Sequence, residues 1–163
     1  MSILKFENRT PQSLEAMYAY MTDERKTDFH SIFGLGVNPQ NAVQDMKFVQ
    51  DLYFWSSLFH PYIQVIFCFD AGVSFDTPAL REICMEIGHC LVLDERQVLG
   101  AIHYKNTDKV HCHYMINYVS VTGNLYRQQY SVIFYKKQVN QVLFKYGLNG
   151  IEFYGMQQQE KIG

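Results

Sequence analysis

Residues 97–119 read QVLGAIH, YKNTDK and VHCHYMINYV in succession: an apolar run, a polar loop and a second apolar run. Both apolar runs carry the β-branched and aromatic residues typical of strands, and the loop between them is too short for a crossover. We therefore predict an antiparallel hairpin, with strands at 97–103 and 110–119.

Three of the six histidines of the chain lie in this hairpin, at His103, His111 and His113. Side chains alternate between the faces of a strand, so His111 and His113 share a face with Met115 and Asn117. In the hairpin, His103 ends its strand opposite His111. The pattern predicts that three imidazoles converge on one face. They would form a site for one divalent cation with open positions for a substrate oxygen. The alternative is that they are ordinary surface histidines.

Alternating and helical periodicities place further elements around the hairpin. Strands are predicted at 2–8, within 26–36, at 62–69 and at 151–154. Helices are predicted from Pro11 and Ser13 to about Thr22, over 39–58, from Thr77 as N-cap with Pro78 at the first helical position, and over 130–146 before Gly147. This mixture predicts an α+β fold on a mainly antiparallel sheet.

Length and composition favour one globular domain over residues 1–155, followed by a polar tail at 156–163. Apolar residues make up 48% of the chain and charged residues 18%, which argues against disorder. There is no apolar run of bilayer length and no signal-peptide core at the N-terminus. The four cysteines are scattered and read as reduced thiols, so we expect a cytoplasmic protein without a membrane partner.

The net charge of −2 argues mildly against nucleic acid as a partner, but the charge is unevenly distributed. Residues 109–151 carry five basic side chains and no acidic one, which leaves −7 for the rest of the chain. Phosphate contact needs only a local basic face. We expect this segment, chiefly Arg127, Lys136 and Lys137, to lie beside the histidines. The alternative is a set of solvated lysines on a helix.

The segment GAIHYKNTDKVHCHYMINYVSVTGNLY (100–126) resembles the metal-binding motif of plasmid relaxases, the mobilization nucleases of the HUH endonuclease superfamily. The resemblance extends over roughly residues 3–154 and implies a five-stranded, mainly antiparallel sheet flanked by helices, with the HxH strand near its centre. It implies a divalent cation held by the three histidines, Mg²⁺ or Mn²⁺ first, with other transition metals as alternatives. Lys105 stands where many relaxases have an acid, which leaves the group that orients His103 open.

The family's nucleophile is an N-terminal tyrosine on a helix before a Lys-Thr pair, and MYAYMTDERKT (17–27) matches this pattern. The resemblance assigns Tyr20 as nucleophile and Lys26-Thr27 as the pair. Helical periodicity agrees, because Tyr18 belongs to an apolar stripe whereas Tyr20 lies about 200° away from it around the helix.

The resemblance implies nicking of single-stranded DNA at a transfer origin through a 5′-phosphotyrosine intermediate, with accessory mobilization proteins as further partners. We expect DNA contacts from the following residues: Lys26, Lys105, Asn117, Arg127, Lys136 and Lys137. Two alternatives remain open. One is a replication initiator or transposase of the same superfamily, which usually places its tyrosine after the metal motif. The other is a degenerate member that binds DNA or metal without cutting.

Overall fold

The computed structural model describes residues 1–7, 12–55, 57 and 60–153. Its strands are β1 (Ile3–Glu7), β2 (Ile32–Leu35), β3 (Tyr62–Cys68), β4 (Val98–His103) and β5 (His111–Asn117), and its α-helices are α1 (Leu14–Met21), α2 (Ala42–Leu52), α3 (Thr77–Leu91) and α4 (Val132–Lys145). The strands form one sheet in the order β1-β3-β5-β4-β2, and every pairing is antiparallel. The predicted α+β fold with a five-stranded sheet is confirmed, and the HxH strand β5 is central.

The helix boundaries follow local capping chemistry. The side chains of Ser13, Asp76 and Ser131 accept hydrogen bonds from the first turns of α1, α3 and α4. Asp76 therefore caps α3, where the sequence pointed to Thr77. Gly147 follows the end of α4 at φ +74°, the left-handed conformation that glycine adopts most readily.

Three predicted elements are shorter than expected or absent. Within residues 26–36 only Ile32–Leu35 is a strand, because Phe29–Ser31 form a 3₁₀ turn. Helix α2 ends at Leu52, close to Phe54, which has a positive φ of 63° incompatible with a helix. Residues 151–153 form no strand. The predictions at Asn8, Pro11, Tyr154 and the polar tail lie outside the described residues.

Helices α3 and α4 cover one face of the sheet. Their apolar residues pack with those of the strands into the larger core, which contains Phe33, Val65, Phe67, Tyr114 and Ile116, all fully buried. Packing is close enough that a Cβ on Gly100 would lie 2.1 Å from the ring of Phe33. Full burial of an aliphatic side chain stabilises the fold by about 1.5–3 kcal/mol, so this face carries much of the stability.

Helices α1 and α2 cover the other face. Leu14, Met17 and Met21 of α1 and Met46 of α2 pack against the strands, in a second core that includes Leu99, Ala101 and Met115. Strand alternation places His103 and His113 on this same face. The C-terminal end of α1 therefore lies over the histidine end of β4 and β5. Among the described residues, no helix combines the length and the apolar character needed to span a bilayer.

Candidate metal and nuclease centre

The hairpin brings His103, His111 and His113 together at one end of the sheet. His103 pairs in register with His111, and His113 follows two residues along β5. The ring centroids are 4.4 Å apart for His103 and His113, 5.0 Å for His111 and His113, and 5.3 Å for His103 and His111. One potential ligand atom from each residue lies within 4.8 Å of the other two. The three side chains are therefore close enough to share one cation.

Hydrogen bonds to carbonyl groups determine which nitrogen is available on two of the rings. Nε2 of His103 lies 2.8 Å from the carbonyl oxygen of Met21, and Nδ1 of His111 lies 3.0 Å from that of Lys109. A carbonyl only accepts, so each of these nitrogens carries the ring proton. The lone pair then resides on Nδ1 of His103 and on Nε2 of His111. Met21, the last residue of α1, supplies the group orienting His103 that the sequence left open.

The third ring has a buried nitrogen with no protein partner. His113 is only 3% exposed, and its Nε2 has no hydrogen-bond partner among the described residues. Buried polar atoms without a partner are uncommon in folded proteins. Together with the available ring nitrogens of His103 and His111, this atom makes the site suited to a divalent cation.

Burial favours the neutral forms of His103 and His113. It lowers the pKa of His113 to about 2, and repulsion from the protonated forms of His103 and His111 and from Lys26 lowers it further. Burial also lowers the pKa of His103, partly opposed by the hydrogen bond to Met21. Neutral imidazoles are the forms that ligate a metal.

These shifts predict a pH-dependent stability of the metal-free protein. In the unfolded chain, histidine takes up a proton near pH 6.5, whereas His113 in the folded protein remains neutral well below that pH. Folded-state stability should therefore fall as the pH drops from 7 to 5, by up to about 1.4 kcal/mol per pH unit for each histidine kept neutral. Urea denaturation of the wild type in EDTA should show this loss. His113→Asn should show a slope smaller by about one proton, and equal slopes would contradict the assignment.

Tyr20 lies directly over the triad. It is 42% exposed, and its ring centroid is 5.3 Å from that of His113 and 5.7 Å from that of His103, both edge-on. Tyr18, two residues earlier on α1, is half-buried and packs against the core beneath the helix. The two tyrosines thus occupy different environments, and Tyr20 is the one beside the histidines.

Lys26 packs against the ring of Tyr20. Its Nζ lies 3.6 Å from the ring centroid, a cation–π contact. The loop carrying Lys26 is tied to the end of β4, because the backbone N–H groups of Tyr104 and Lys105 both donate to the carbonyl of Lys26. Thr27 beside it is completely buried. Lys26 is therefore held beside Tyr20 by the backbone contacts of its loop with the end of β4.

Two further candidate DNA contacts, Lys105 and Asn117, differ in position: Lys105 is beside the histidines, whereas Asn117 is buried in the fold. Lys105 donates from Nζ to the carbonyl of Glu24, on the histidine side. Asn117 is completely buried. Its amide bonds the carbonyl of Met46, the side chains of Gln97 and Gln50, and the backbone N–H of Val119. All of its hydrogen-bonding capacity is used inside the fold, so in this structure Asn117 joins α2 to the sheet and is not accessible to DNA.

The expected basic face beside the histidines requires a correction. Lys136 and Lys137 lie on α4, whose buried residues Tyr135, Val139 and Leu143 pack on the opposite face of the sheet. Arg127 is exposed beside the end of α3 and Tyr135, also away from the triad. Closeness in sequence to β5 does not place these cations near the site, because the chain crosses to the other face between residues 118 and 131.

Residues 18–148 match the sequence model of the MobA/VirD2-like relaxase nuclease domain. The chain belongs to this relaxase family. A solved structure, described as the molecular basis of vancomycin resistance transfer in Staphylococcus aureus, matches with a TM-score of 0.56 at 14% identity. The match covers 94% of this chain and 98% of the chain of that solved structure. This likeness shows the fold that the relaxase domain shares with it. No curated protein matches the chain in sequence.

Family membership identifies the domain as a nuclease type that acts in DNA mobilization. Relaxases are generally metal-dependent, and the residues of this relaxase domain fit a cation at the histidine triad.

The Thr122-Gly123 motif has a structural role. Gly123 has a φ of +92°, and a Cβ there would lie 2.5 Å from the ring of Tyr53. Sequence reasoning missed two polar groups around the triad, the Met21 carbonyl and Gln64 on β3.

Proposed function

We propose that this relaxase domain nicks single-stranded DNA at a transfer origin, with Tyr20 as the nucleophile. The observation that carries the proposal is the placement of the Tyr20 ring 5.3 Å from that of His113, over three histidines suited to one cation. We expect the hydroxyl of Tyr20 to reach a phosphodiester held at the triad, as nucleophilic catalysis requires.

The proposed reaction is a transesterification. The phenolic oxygen of Tyr20 forms a bond to the scissile phosphorus, and the bond from phosphorus to the 3′ oxygen breaks. The phenol loses its proton and the departing oxygen gains one, so the products are a 5′-phosphotyrosine and a free 3′-OH. One phosphodiester replaces another, so the step is nearly isoenergetic and the same site can reseal the strand.

The residues of the site have distinct tasks in this reaction. His103, His111 and His113 would hold the divalent cation, which supplies positive charge to the nonbridging phosphate oxygens. Lys26 holds the Tyr20 ring from one side by its cation–π contact.

The proposal is tested with a single-stranded oligonucleotide library of randomised centre, incubated with the protein and Mn²⁺ or Mg²⁺. We expect a protein–DNA adduct that survives denaturation, released strands ending in 3′-OH, and no adduct in EDTA. The same library annealed to its complement should give far less product. Binding of the single strands without any adduct would contradict the proposal and favour the non-cleaving alternative.

The cations near the triad predict where the strand runs. Arg25, Lys26, Lys105 and Lys109 lie on the loops beside the histidines, whereas Lys136 and Lys137 lie across the sheet. For single strands, each phosphate contact contributes about 0.7 to the slope of log affinity against log salt. Lys105→Ala with Lys109→Ala should therefore flatten the slope by roughly one to one and a half units. The matched pair Lys136→Ala with Lys137→Ala should leave it unchanged, and the reverse outcome would place the strand on α4.

A further inference from the structure

Gln64 is the one side chain that hydrogen-bonds an imidazole of the triad among the described residues. It lies on β3 and points to the histidine face, since its register partner on β5 is Met115, two residues from His113. Its amide Nε2 is 2.9 Å from Nδ1 of His113. Gln64 thus touches the deepest ring of the site from the side opposite Nε2.

This contact determines where the proton of His113 resides. An amide nitrogen only donates, so facing Nδ1 it leaves the ring proton on Nε2. Nε2 is buried and has no acceptor among the described residues, so that arrangement leaves a buried N–H donor without a hydrogen bond. Turning the amide by half a turn exchanges its nitrogen and oxygen, and Oε1 then accepts from Nδ1–H. The lone pair of Nε2 becomes available to a cation.

We propose that Gln64 is a positioning residue that presents Oε1 to Nδ1–H of His113 and so holds the tautomer whose Nε2 binds the cation. The inference rests on the proposed metal centre and deepens it. It says that cation binding and the orientation of one amide group are coupled.

The three ligands differ in how their tautomers are fixed. His103 and His111 bond backbone carbonyls, of Met21 and Lys109, which no side-chain substitution removes. Only His113 depends on a side chain for this purpose. A neutral amide also adds no charge to the site, so Gln64→Glu, which keeps an acceptor and adds a negative charge near the cation, should tighten binding.

Calorimetric titration with Mn²⁺ tests the proposal on four proteins: the wild type, Gln64→Leu, Gln64→Glu and the control Gln44→Leu on the exposed face of α2. We expect Gln64→Leu to bind Mn²⁺ about 10–100-fold more weakly. Gln64→Glu should bind at least as tightly as the wild type, and the control should be unchanged. Wild-type affinity in Gln64→Leu would overturn the role of Gln64 alone, whereas no Mn²⁺ binding by the wild type would overturn the metal centre itself.

A second measurement needs no variant. In ¹⁵N-labelled wild type loaded with Zn²⁺, the imidazole spectrum of His113 should show a proton on Nδ1 and none on Nε2. A proton absent from Nδ1 in the loaded protein would overturn the proposal even if Gln64→Leu failed to fold.

Discussion

Tyr20→Phe is expected to abolish covalent attachment of DNA, lowering adduct formation by about 10⁴-fold or more. The phenyl ring keeps the shape and the edge-on contacts with His103 and His113 but has no oxygen to attack phosphorus. Folding and single-strand binding should be retained, because Tyr20 is exposed and contributes little to the core. Denaturing gels after incubation with the oligonucleotide library measure the adduct, and circular dichroism checks the fold.

Tyr18→Phe is the matched control for this substitution, since it removes the same atom two residues away on the same helix. Tyr18 packs against the core, whereas Tyr20 makes the ring contacts with His103 and His113. Adduct formation should therefore remain at the wild-type level in Tyr18→Phe. Loss of the adduct in Tyr18→Phe, or its persistence in Tyr20→Phe, would assign the nucleophile elsewhere.

His113→Ala is expected to have the second large effect, removing both cation binding and nicking. Its Nε2 is buried without a hydrogen-bond partner among the described residues, as expected of a nitrogen that faces a cation. Mn²⁺ affinity should fall below the measurable range of calorimetry, and adduct formation should fall by on the order of 10³-fold, as for the loss of a main electrostatic stabiliser.

The control for this substitution is His30→Ala. His30 is exposed on the 3₁₀ turn before β2, and it belongs to no metal-capable cluster among the described residues. Mn²⁺ affinity and nicking should both remain at the wild-type level in this variant. Undiminished Mn²⁺ binding by His113→Ala would exclude His113 as a ligand.

The hairpin could be predicted from the sequence because its determinants are local. Strand alternation and a short loop suffice to put His103 opposite His111 and on the same face as His113. The contrast between Tyr18 and Tyr20 is equally local, since two residues along a helix turn the side chain by about 200°, from the buried stripe to the exposed side. The five-stranded sheet followed from the relaxase resemblance.

The features that the sequence did not predict depend on contacts between distant segments. The carbonyl of Met21 that orients His103 belongs to the backbone and has no signature in the residue type. The contact of Gln64 with His113 depends on β3 pairing with β5, which periodicity alone does not specify. The position of Lys136 and Lys137 depends on the path of the chain after β5, which carries α4 to the opposite face.

Locating the covalent bond in the adduct tests the central claim most directly, namely that Tyr20 and the three histidines form one nicking centre. Trypsin should release residues 10–25, which contain both Tyr18 and Tyr20 separated by Ala19, so fragmentation in a mass spectrometer distinguishes the two. The expected result is a nucleotide 5′-phosphate on Tyr20, formed with Mn²⁺ or Mg²⁺ and absent in EDTA and in His113→Ala. A nucleotide on any other residue, or equal modification of Tyr20 in EDTA, would contradict the claim.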